Sequence, residues 1–177
     1  IYASTAVIHN YADDFEQGQL LVQEAHQFLI ASMNWLRAGI IKTRNGTQDE
    51  KRGVLLFGTE FDRKIKEHDT WYAIDPILNR DASFYLDTRF LRKWIIENLK
   101  DKAVLNTFAY TGSFGVAALK GGASRVVQID LNREFLNLAK SSYTLNGFPI
   151  RKGDFIARDF FEQVSNMKRT NTFFDCV

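Results

Sequence analysis

Two acidic residues and one glycine follow strand-like runs of the sequence, where their side chains could do chemistry. Gly112 comes shortly after the apolar run 104–108, and Asp130 and Asp159 follow two later runs. A strand, a glycine-containing turn and a helix together hold nucleotide-like ligands in α/β proteins. A carboxylate about 20 residues after such a turn is placed to accept hydrogen bonds from ribose hydroxyls. These residue types therefore favour a nucleoside site.

Each of these residues also has a purely structural alternative. Gly112 can belong to an ordinary turn, since neither a dinucleotide fingerprint nor a P-loop motif surrounds it. Asp130 can cap the helix predicted to begin near Asn132, and it can do so while it binds a diol. Asp159 stands beside Phe160, and together they offer an acceptor for an exocyclic amine and a flat face for a base. The succession of three strand ends favours nucleoside binding, because parallel sheets bind ligands at the carboxyl ends of their strands.

The composition is that of a folded chain with room for one domain and a small second module. It has 177 residues, of which 45% are hydrophobic and 14% aromatic. The net charge is +2, but residues 1–75 carry −3 and residues 76–177 carry +5. A basic second half permits a phosphate-rich partner, and it is equally typical of a solvated charged surface.

Cys176 is the only cysteine, so a single chain can form neither a disulfide framework nor a cysteine-rich metal site. We therefore expect a reducing, cytoplasmic environment and no metal. No run of about 18 apolar residues is present, so we expect no membrane span. The first residues lack the layout of a signal peptide and do not include Met.

The first half of the chain is predicted to contain one long helix and several short strands. Apolar residues at helical spacing predict a helix over about 14–37, which Ala38-Gly39 could end, and the polar segment 42–52 predicts a turn or exposed loop. Three apolar runs predict strands, at 53–58, 71–75 and 83–86. The charged stretch 60–69 between the first two is predicted to form a further strand or a hairpin arm.

From residue 88 onward, predicted strands and helices alternate. The first helix, 88–98, is amphipathic and is predicted to expose Arg89, Arg92 and Lys93, a basic face that weakly favours RNA. The later elements are a strand at 103–108, a helix at 113–120, a strand at 125–129, a helix at 132–145, a strand at 155–157, a helix to about 167 and a strand from 172. Four alternations predict a parallel sheet with right-handed crossovers.

We therefore divide the chain into three parts. Residues 1–52 form an N-terminal helical region, 53–87 a small and mostly antiparallel β-module, and 88–177 an α/β domain. Thr111 and Ser113 are candidate caps of the helix at 113–120, which would leave backbone amides pointing at a carboxylate or phosphate.

The segment 106–114, Asn-Thr-Phe-Ala-Tyr-Thr-Gly-Ser-Phe, resembles the first motif of class I S-adenosylmethionine-dependent methyltransferases. More narrowly, it resembles the bacterial large-subunit methyltransferases that modify a cytosine C5 or a guanine N7 of 23S rRNA. Val-Gln-Ile-Asp at 127–130, Asn-Gly at 146–147 and Asp-Phe-Phe at 159–161 extend the resemblance. Residues 83–89, Ser-Phe-Tyr-Leu-Asp-Thr-Arg, resemble the segment that precedes the family's methyltransferase domain.

The resemblance covers roughly residues 71–177 and implies a fold, a cofactor and a partner. The implied fold is α/β, a Rossmann-like sheet preceded by a helix and a small β-module. The implied cofactor is S-adenosylmethionine, and the implied partner is RNA, in particular rRNA.

The resemblance also implies roles for individual residues. Those of the first motif would line the methionine and ribose parts of the cofactor: Phe108, Tyr110, Thr111 and Gly112, with Asn106 and Phe114 included as members of the same motif. The other implied contacts are Asp130 to the ribose hydroxyls, Leu131 against the adenine, Asp159 to the adenine amine and Phe160 beside the ring. Arg89 would reach the methionine carboxylate, or it would form a surface ion pair, and both alternatives stay open.

In the family, the strand that begins at Phe174 leads into an Asp-Pro-Pro motif at the target base, and the sequence stops at Val177 before that motif. We therefore expect only the N-terminal part of the domain, truncated at its fourth strand, with catalytic residues beyond Val177. Cys176 is expected to be a core residue and not a nucleophile. Two other functions stay open: a non-catalytic nucleoside- or RNA-binding module of this fold, and a methyltransferase that acts on a protein or a small molecule.

Overall fold

The strands belong to three separate sheets in the computed structural model, which describes residues 1–177. Two units divide the chain. The first consists of Ile1–Ile65 and Ile74–Ser83, and the second of Lys66–Ala73 and Phe84–Val177. None of the helices has both the length and the apolar character that a membrane crossing requires.

A three-stranded sheet forms the centre of the first unit. Its elements are β1 (Thr5–Asn10), α1 (Phe15–Ser32), β2 (Ala38–Thr43), α2 (Gln48–Arg52) and β3 (Val54–Phe57). The central strand β2 pairs in parallel with β1 and antiparallel with β3. Because β1 and β2 run in parallel, the chain must cross over between them, and α1 makes that crossover.

Two predictions for this unit were wrong at their boundaries. The helix predicted over 14–37 ends at Ser32, and the segment predicted as a turn contains the end of β2 and all of α2. The run Ala-Gly-Ile-Ile is buried in a central strand, so it lacks the alternation that identifies a half-exposed strand. Helix α2 is short, but a capping box between Thr47 and Glu50 stabilises its start.

The strand predicted at 83–86 is absent. Ser83 adopts a left-handed φ of +60°, and a short 3-10 turn covers Leu86–Thr88. The Ser83 hydroxyl oxygen instead accepts a hydrogen bond from the backbone N–H of Asp75, at 2.7 Å. A local side-chain bond of this kind competes with strand pairing, and the aromatic alternation of the sequence does not reveal it.

Lys42 is the buried cation of the first unit. Its side chain lies on β2 and only 3% of the residue is exposed. The ammonium group donates hydrogen bonds to the carbonyl oxygens of Arg52, of Asn79 at 2.8 Å and of Asp81 at 3.1 Å. Lys42 therefore joins β2 to the end of α2 and to the loop that contains Asn79 and Asp81.

The pH dependence of stability is expected to report on Lys42. Burial lowers the pKa of its ammonium group from 10.5 to about 8, while the carboxylates of Asp81 and Asp75 oppose that change. Between these values the native state releases its proton before the unfolded chain does, so stability rises with pH. From about pH 7.5 to about pH 9.5, urea unfolding should show a gain of about 1–2 kcal/mol. The Lys42→Met variant should lack this gain, and an equal gain in both proteins would contradict the assignment.

The second unit contains the predicted parallel α/β sheet. Strands β6 (Ala103–Thr107), β7 (Arg125–Asp130) and β8 (Phe155–Ala157) are parallel, in the order β6-β7-β8. Helices α3 to α6 accompany them, in the order Arg89–Asn98, Ser113–Lys120, Arg133–Asn146 and Phe160–Arg169. The prediction of a Rossmann-like α/β arrangement is confirmed. The strand predicted from residue 172 is reduced to one parallel bridge between Cys176 and Val104.

Apolar side chains cover both faces of this sheet. On one face, Val104 and Val126 pack with residues of α3 and α4, and the partly buried Cys176 lies against the same cluster. On the other face, Leu105, Val127 and Ile129 pack with Met167 of α6. Both faces of a parallel sheet must be buried by other elements. Because helices bury both faces here, only the ends of the strands are accessible.

A hairpin precedes the parallel sheet in the chain and packs on helix α5. Strands β4 (Lys64–Glu67) and β5 (Thr70–Ala73) are joined by His68 and Asp69, both with positive φ, as a tight two-residue hairpin turn requires. The Ser142 hydroxyl of α5 accepts the backbone N–H of Ala73 at 2.9 Å. The charged stretch predicted to contribute a hairpin arm therefore does so.

Arg92 is fully buried, which contradicts its predicted place on an exposed basic face. Its guanidinium group donates to both carboxylate oxygens of Glu67, at 2.6 and 2.9 Å, and to the carbonyl oxygen of Tyr85 at 2.9 Å. The guanidinium carbon also lies 4.0 Å from the centroid of the Phe84 ring. Arg92 is thus unavailable to an external partner, and it fixes the segment that leads into α3.

Candidate functional site

Asp130 joins the end of β7 to the turn that follows β6. Its Oδ2 accepts the backbone N–H of Tyr110 at 2.8 Å, and its Oδ1 accepts the backbone N–H of Asn132 at 2.8 Å. The cap of α5 is Asn132 and not Asp130, since the Asn132 side chain accepts the N–H of Glu134. A carboxylate oxygen has two lone pairs, so each oxygen of Asp130 can still accept one more hydrogen bond.

The third strand end meets the same turn through aromatic rings. Phe108 follows β6, Phe160 begins α6 directly after β8, and their ring centroids are 5.0 Å apart. The predicted convergence of three strand ends is therefore present in the structure. Asp130 connects the first two ends, and the Phe108–Phe160 contact connects the first and the third.

The backbone of the turn 108–112 is unusual. Phe108, Tyr110 and Gly112 all have left-handed φ values, of +50°, +52° and +74°. This conformation is unfavourable for a bulky aromatic residue and persists only when its surroundings impose it. The N–H of Ala109 donates to the carbonyl of Ile129 at 2.8 Å, and that of Gly112 donates to the carbonyl of Ala109 at 2.8 Å. Backbone strain of this kind concentrates at binding sites.

Gln128 supports the turn from below, although the sequence analysis gave it no role. It is fully buried, its Oε1 accepts from the side-chain amide of Asn106 at 3.0 Å, and its Nε2 donates to the Tyr143 hydroxyl at 3.1 Å. Burial raises the pKa of the Tyr143 hydroxyl well above its usual range, so Tyr143 stays neutral. The sequence signal for this role of Gln128 was its position as a polar residue within an apolar strand run.

Gln128 also explains two glycines. A Cβ added at Gly112 would lie 2.6 Å from Gln128 Oε1 and 2.5 Å from Ala139 Cβ, and one at Gly115 would lie 2.7 Å from Gln128 Cδ. Because real Cβ atoms do not approach so closely, the turn and the first turn of α4 can lie over Gln128 only with glycine at both positions.

The Tyr110 ring lies between two further aromatic rings. Its centroid is 5.3 Å from that of Tyr85 and 4.6 Å from that of Phe135 on α5. The backbone of Tyr85 is held in turn by Arg92. Tyr85 belongs to the segment 83–89 that carried the resemblance, and the structure now shows it in contact with the first motif.

Exposed apolar side chains lie close in sequence to the two carboxylates. Leu131 follows Asp130 and is 71% exposed, Phe161 lies in the first turn of α6 and is 74% exposed, and Phe108 after β6 is 70% exposed. The Oδ1 atom of Asp159 accepts the N–H groups of Phe161 and Glu162 at 2.9 and 3.2 Å, and its Oδ2 has no hydrogen-bond partner. Apolar walls beside hydrogen-bond acceptors fit a ligand with a flat ring and hydroxyl groups, as an adenosyl group has.

Other predicted residues have different environments. Gly112, in its left-handed conformation, is the residue that caps α4, so the prediction that Thr111 or Ser113 caps this helix was wrong. Thr111 is buried, and Phe114 packs against the cluster between α3 and the sheet. Arg89 is the exposed first residue of α3, and its side chain forms no ion pair. The ion-pair alternative for Arg89 therefore finds no partner in the structure.

A family model described as S-adenosylmethionine-dependent methyltransferase matches residues 54–177. The chain belongs to this family. The match includes the turn 108–112, both carboxylates and the aromatic cluster, so the residues brought together by the fold all lie within the family domain.

Curated relatives and a solved structure are similar to this chain. Ribosomal RNA large subunit methyltransferase I of Photobacterium profundum is 36% identical over 113 residues, which cover 64% of this chain and 28% of that protein. The protein of the same name from Vibrio cholerae is 39% identical over 134 residues, 73% of this chain and 33% of that protein. A putative methyltransferase from Streptococcus mutans has a TM-score of 0.81 at 23% identity, over 98% of this chain and 45% of that one.

The chain thus spans a third or less of the length of these two curated relatives. The fold match to the Streptococcus mutans protein agrees with the parallel sheet described above.

The Gln128→Leu variant is expected to be destabilised by about 1–3 kcal/mol, because the Asn106 amide and the Tyr143 hydroxyl lose their partner in a buried position. Thermal or urea unfolding measures this loss, and hydrogen exchange of the amides at 106–112 should become faster. The matched control is Tyr143→Phe, which leaves one buried group without its partner, the Gln128 side-chain amide, and should therefore cost less than Gln128→Leu. A Gln128→Leu protein as stable as this control would contradict the supporting role.

Proposed function

We propose that the protein containing this chain binds S-adenosylmethionine at the strand ends and transfers its methyl group to a base of large-subunit ribosomal RNA. The observation that carries the proposal is the Asp130 carboxylate, which is fixed by two backbone amides beside a preformed turn and exposed apolar rings. Family membership supports the cofactor, and the names of the relatives, which are ribosomal RNA methyltransferases, support the RNA substrate.

The adenosyl half of the cofactor is assigned to the ends of β7 and β8. Asp130 accepts hydrogen bonds from the two ribose hydroxyls, for which each of its oxygens has a lone pair left. Leu131 and Phe160 provide the apolar faces for the adenine ring. Asp159 Oδ2, which has no partner in the structure, accepts the adenine amine while Oδ1 holds the start of α6.

The methionine half is assigned to the turn after β6. Phe108, Tyr110, Thr111 and Gly112 line it through their backbone and rings. No side chain caps α4, so its first backbone amides and the unpaired Arg89 are the groups proposed for the methionine carboxylate. Asn106 and Phe114 act through the turn, since their side chains contact Gln128 and the core.

Little acid–base catalysis is required for this reaction. When bound, S-adenosylmethionine supplies an electrophilic methyl group on a sulfonium. The residues of this chain contribute by orientation, because an in-line displacement depends on the alignment of nucleophile, methyl carbon and leaving sulfur. The rings of Phe108 and Phe160 exclude water from one side of that path. The substrate-side residues are proposed to lie beyond Val177.

Calorimetric titration of the full-length protein with S-adenosylmethionine tests the cofactor site. The Asp130→Asn variant should bind about 10- to 100-fold more weakly, because Asn keeps one acceptor oxygen and the loss of one hydrogen bond to a charged acceptor costs about 1.5–3 kcal/mol. The matched control is Asp175→Asn, since Asp175 accepts the N–H of Ala103 at 2.7 Å at the opposite end of the sheet. The control should bind like the wild type. Equal affinity in all three proteins, or no binding by any of them, would refute the assignment of the site.

Mass analysis of ribosomal RNA tests the substrate. Cells that lack the gene should lose one methyl group from a nucleoside of large-subunit RNA, and the wild-type gene should restore it. The gene with Asp130→Asn should restore it poorly, in proportion to its weaker cofactor binding. If the protein binds cofactor but the modification profile of the mutant cells is unchanged, the substrate is a protein or a small molecule. If the protein does not bind S-adenosylmethionine and the modification profile is also unchanged, the non-catalytic alternative holds.

A further inference from the structure

A cleft of about 500 Å³ lies in the second unit, between α5, β8 and α6. Nine residues line it, and they are Arg133, Leu136, Lys140, Lys152, Phe155, Ile156, Ala157, Arg158 and Gln163. Four of these nine carry a positive charge and none carries a negative charge. The +5 charge of the second half of the sequence is therefore partly concentrated in one concave surface.

The four cations of this basic cleft have no carboxylate partner. Arg133, Lys152 and Arg158 form no hydrogen bond or ion pair through their side chains. Lys140 donates only to the amide oxygen of Asn137, at 3.3 Å, and its ammonium lies 5.3 Å from the Phe155 ring centroid. Like charges in a concave surface repel one another, and an anion between them removes that cost.

Asp154, a carboxylate next to the cleft in sequence, is already paired. It is buried, and its Oδ1 accepts from the guanidinium of Arg125 at 2.8 Å. It therefore does not neutralise Lys152, which lies two positions earlier. No acidic side chain therefore lines the cleft beside its four cations.

The cations are spread along two elements and are not gathered at one point. Arg133 and Lys140 are two turns apart on α5, a rise of about 10 Å. Lys152 and Arg158 lie on either side of β8, which is the edge strand of the sheet. Arg133 is close in sequence to Asp130, and Arg158 directly precedes Asp159, so these two cations lie toward the cofactor edge of the sheet. Charges spread over more than one turn of a helix match a polymer with repeated charges better than one isolated phosphate.

We propose that the basic cleft binds the phosphodiester backbone of the RNA substrate and holds it beside the cofactor site. This inference rests on the proposed function, and it adds the surface through which that RNA is bound. Phe155 is only 8% exposed and lies beneath Lys140, so its ring cannot stack on a base. The contacts are to phosphates, and they set the position of the RNA without reading its sequence.

Charged residues at a sheet edge have another known use, which is to prevent pairing with a second molecule. Because β8 is an edge strand, this use predicts that loss of the charges causes self-association and leaves RNA affinity unchanged. The two explanations therefore differ in a measurable way.

Fluorescence anisotropy of a labelled single-stranded RNA of about 30 nucleotides with the full-length protein tests the proposal. The Arg133→Gln/Lys152→Gln/Arg158→Gln protein should bind at least about 10-fold more weakly at low salt. The plot of log affinity against log salt should become shallower by about 2, the slope expected for three lost phosphate contacts. The matched control is Lys100→Gln/Lys102→Gln/Lys120→Gln, which removes the same charge from exposed lysines elsewhere in this unit. It should bind within about twofold of the wild type.

Two further measurements distinguish failure of the cleft proposal from failure of the proposed function. Calorimetry should give both triple variants the wild-type affinity for S-adenosylmethionine, and Arg133→Lys/Arg158→Lys should retain RNA affinity because it retains charge. Equal weakening in the cleft and control variants, or self-association of the cleft variant with unchanged RNA affinity, overturns the proposal. Wild-type protein that binds cofactor and no RNA overturns it together with the RNA part of the proposed function. RNA binding that depends on the cleft without any cofactor binding supports the cleft and refutes only the cofactor assignment.

Discussion

The side chain of Gln128 is the constraint on which the site depends. It occupies the middle of β7, bonds to Asn106 on β6 and to Tyr143 on α5, and lies directly beneath Gly112 and Gly115. A buried amide is stable only when its donors and acceptors are satisfied, so these partners are fixed together. The turn can then reach Asp130, whose carboxylate holds the N–H of Tyr110. One polar residue inside an apolar sheet thus fixes where the turn 108–112 lies relative to the ends of the strands.

The elements that the sequence predicted well are those with local signals. Helix α4, with its bounds at Ser113 and Lys120, and strand β8 were predicted at their observed positions, because small-residue turns and apolar runs mark them. The convergence of Asp130 and the segments containing Phe108 and Phe160 followed from topology, since parallel strands end at one edge. The site was accessible to sequence analysis because each of its parts follows a strand directly.

The features that were missed depend on distant partners. Nothing near Arg92 in the sequence shows that Glu67, 25 positions earlier, would take it into the interior. Strand β2 was missed because burial on both faces removes alternation, and α2 was missed because a capping box can sustain a helix of five residues. The role of Gln128 requires three elements to be assembled first. In each case a tertiary contact overrides the local pattern.

The left-handed conformations of Phe108 and Tyr110 have a consequence for affinity. The fold itself imposes these conformations, through the bonds to Ile129 and Asp130 and the packing of Tyr110 between two rings. A ligand that meets a turn already in its binding shape loses no free energy to ordering it. The stability of the fold is reduced by this strain, and the reduction is permanent, whether or not a ligand is present. Selection on such a turn would therefore act on the packing that holds its shape as much as on the contacts that it makes to a ligand.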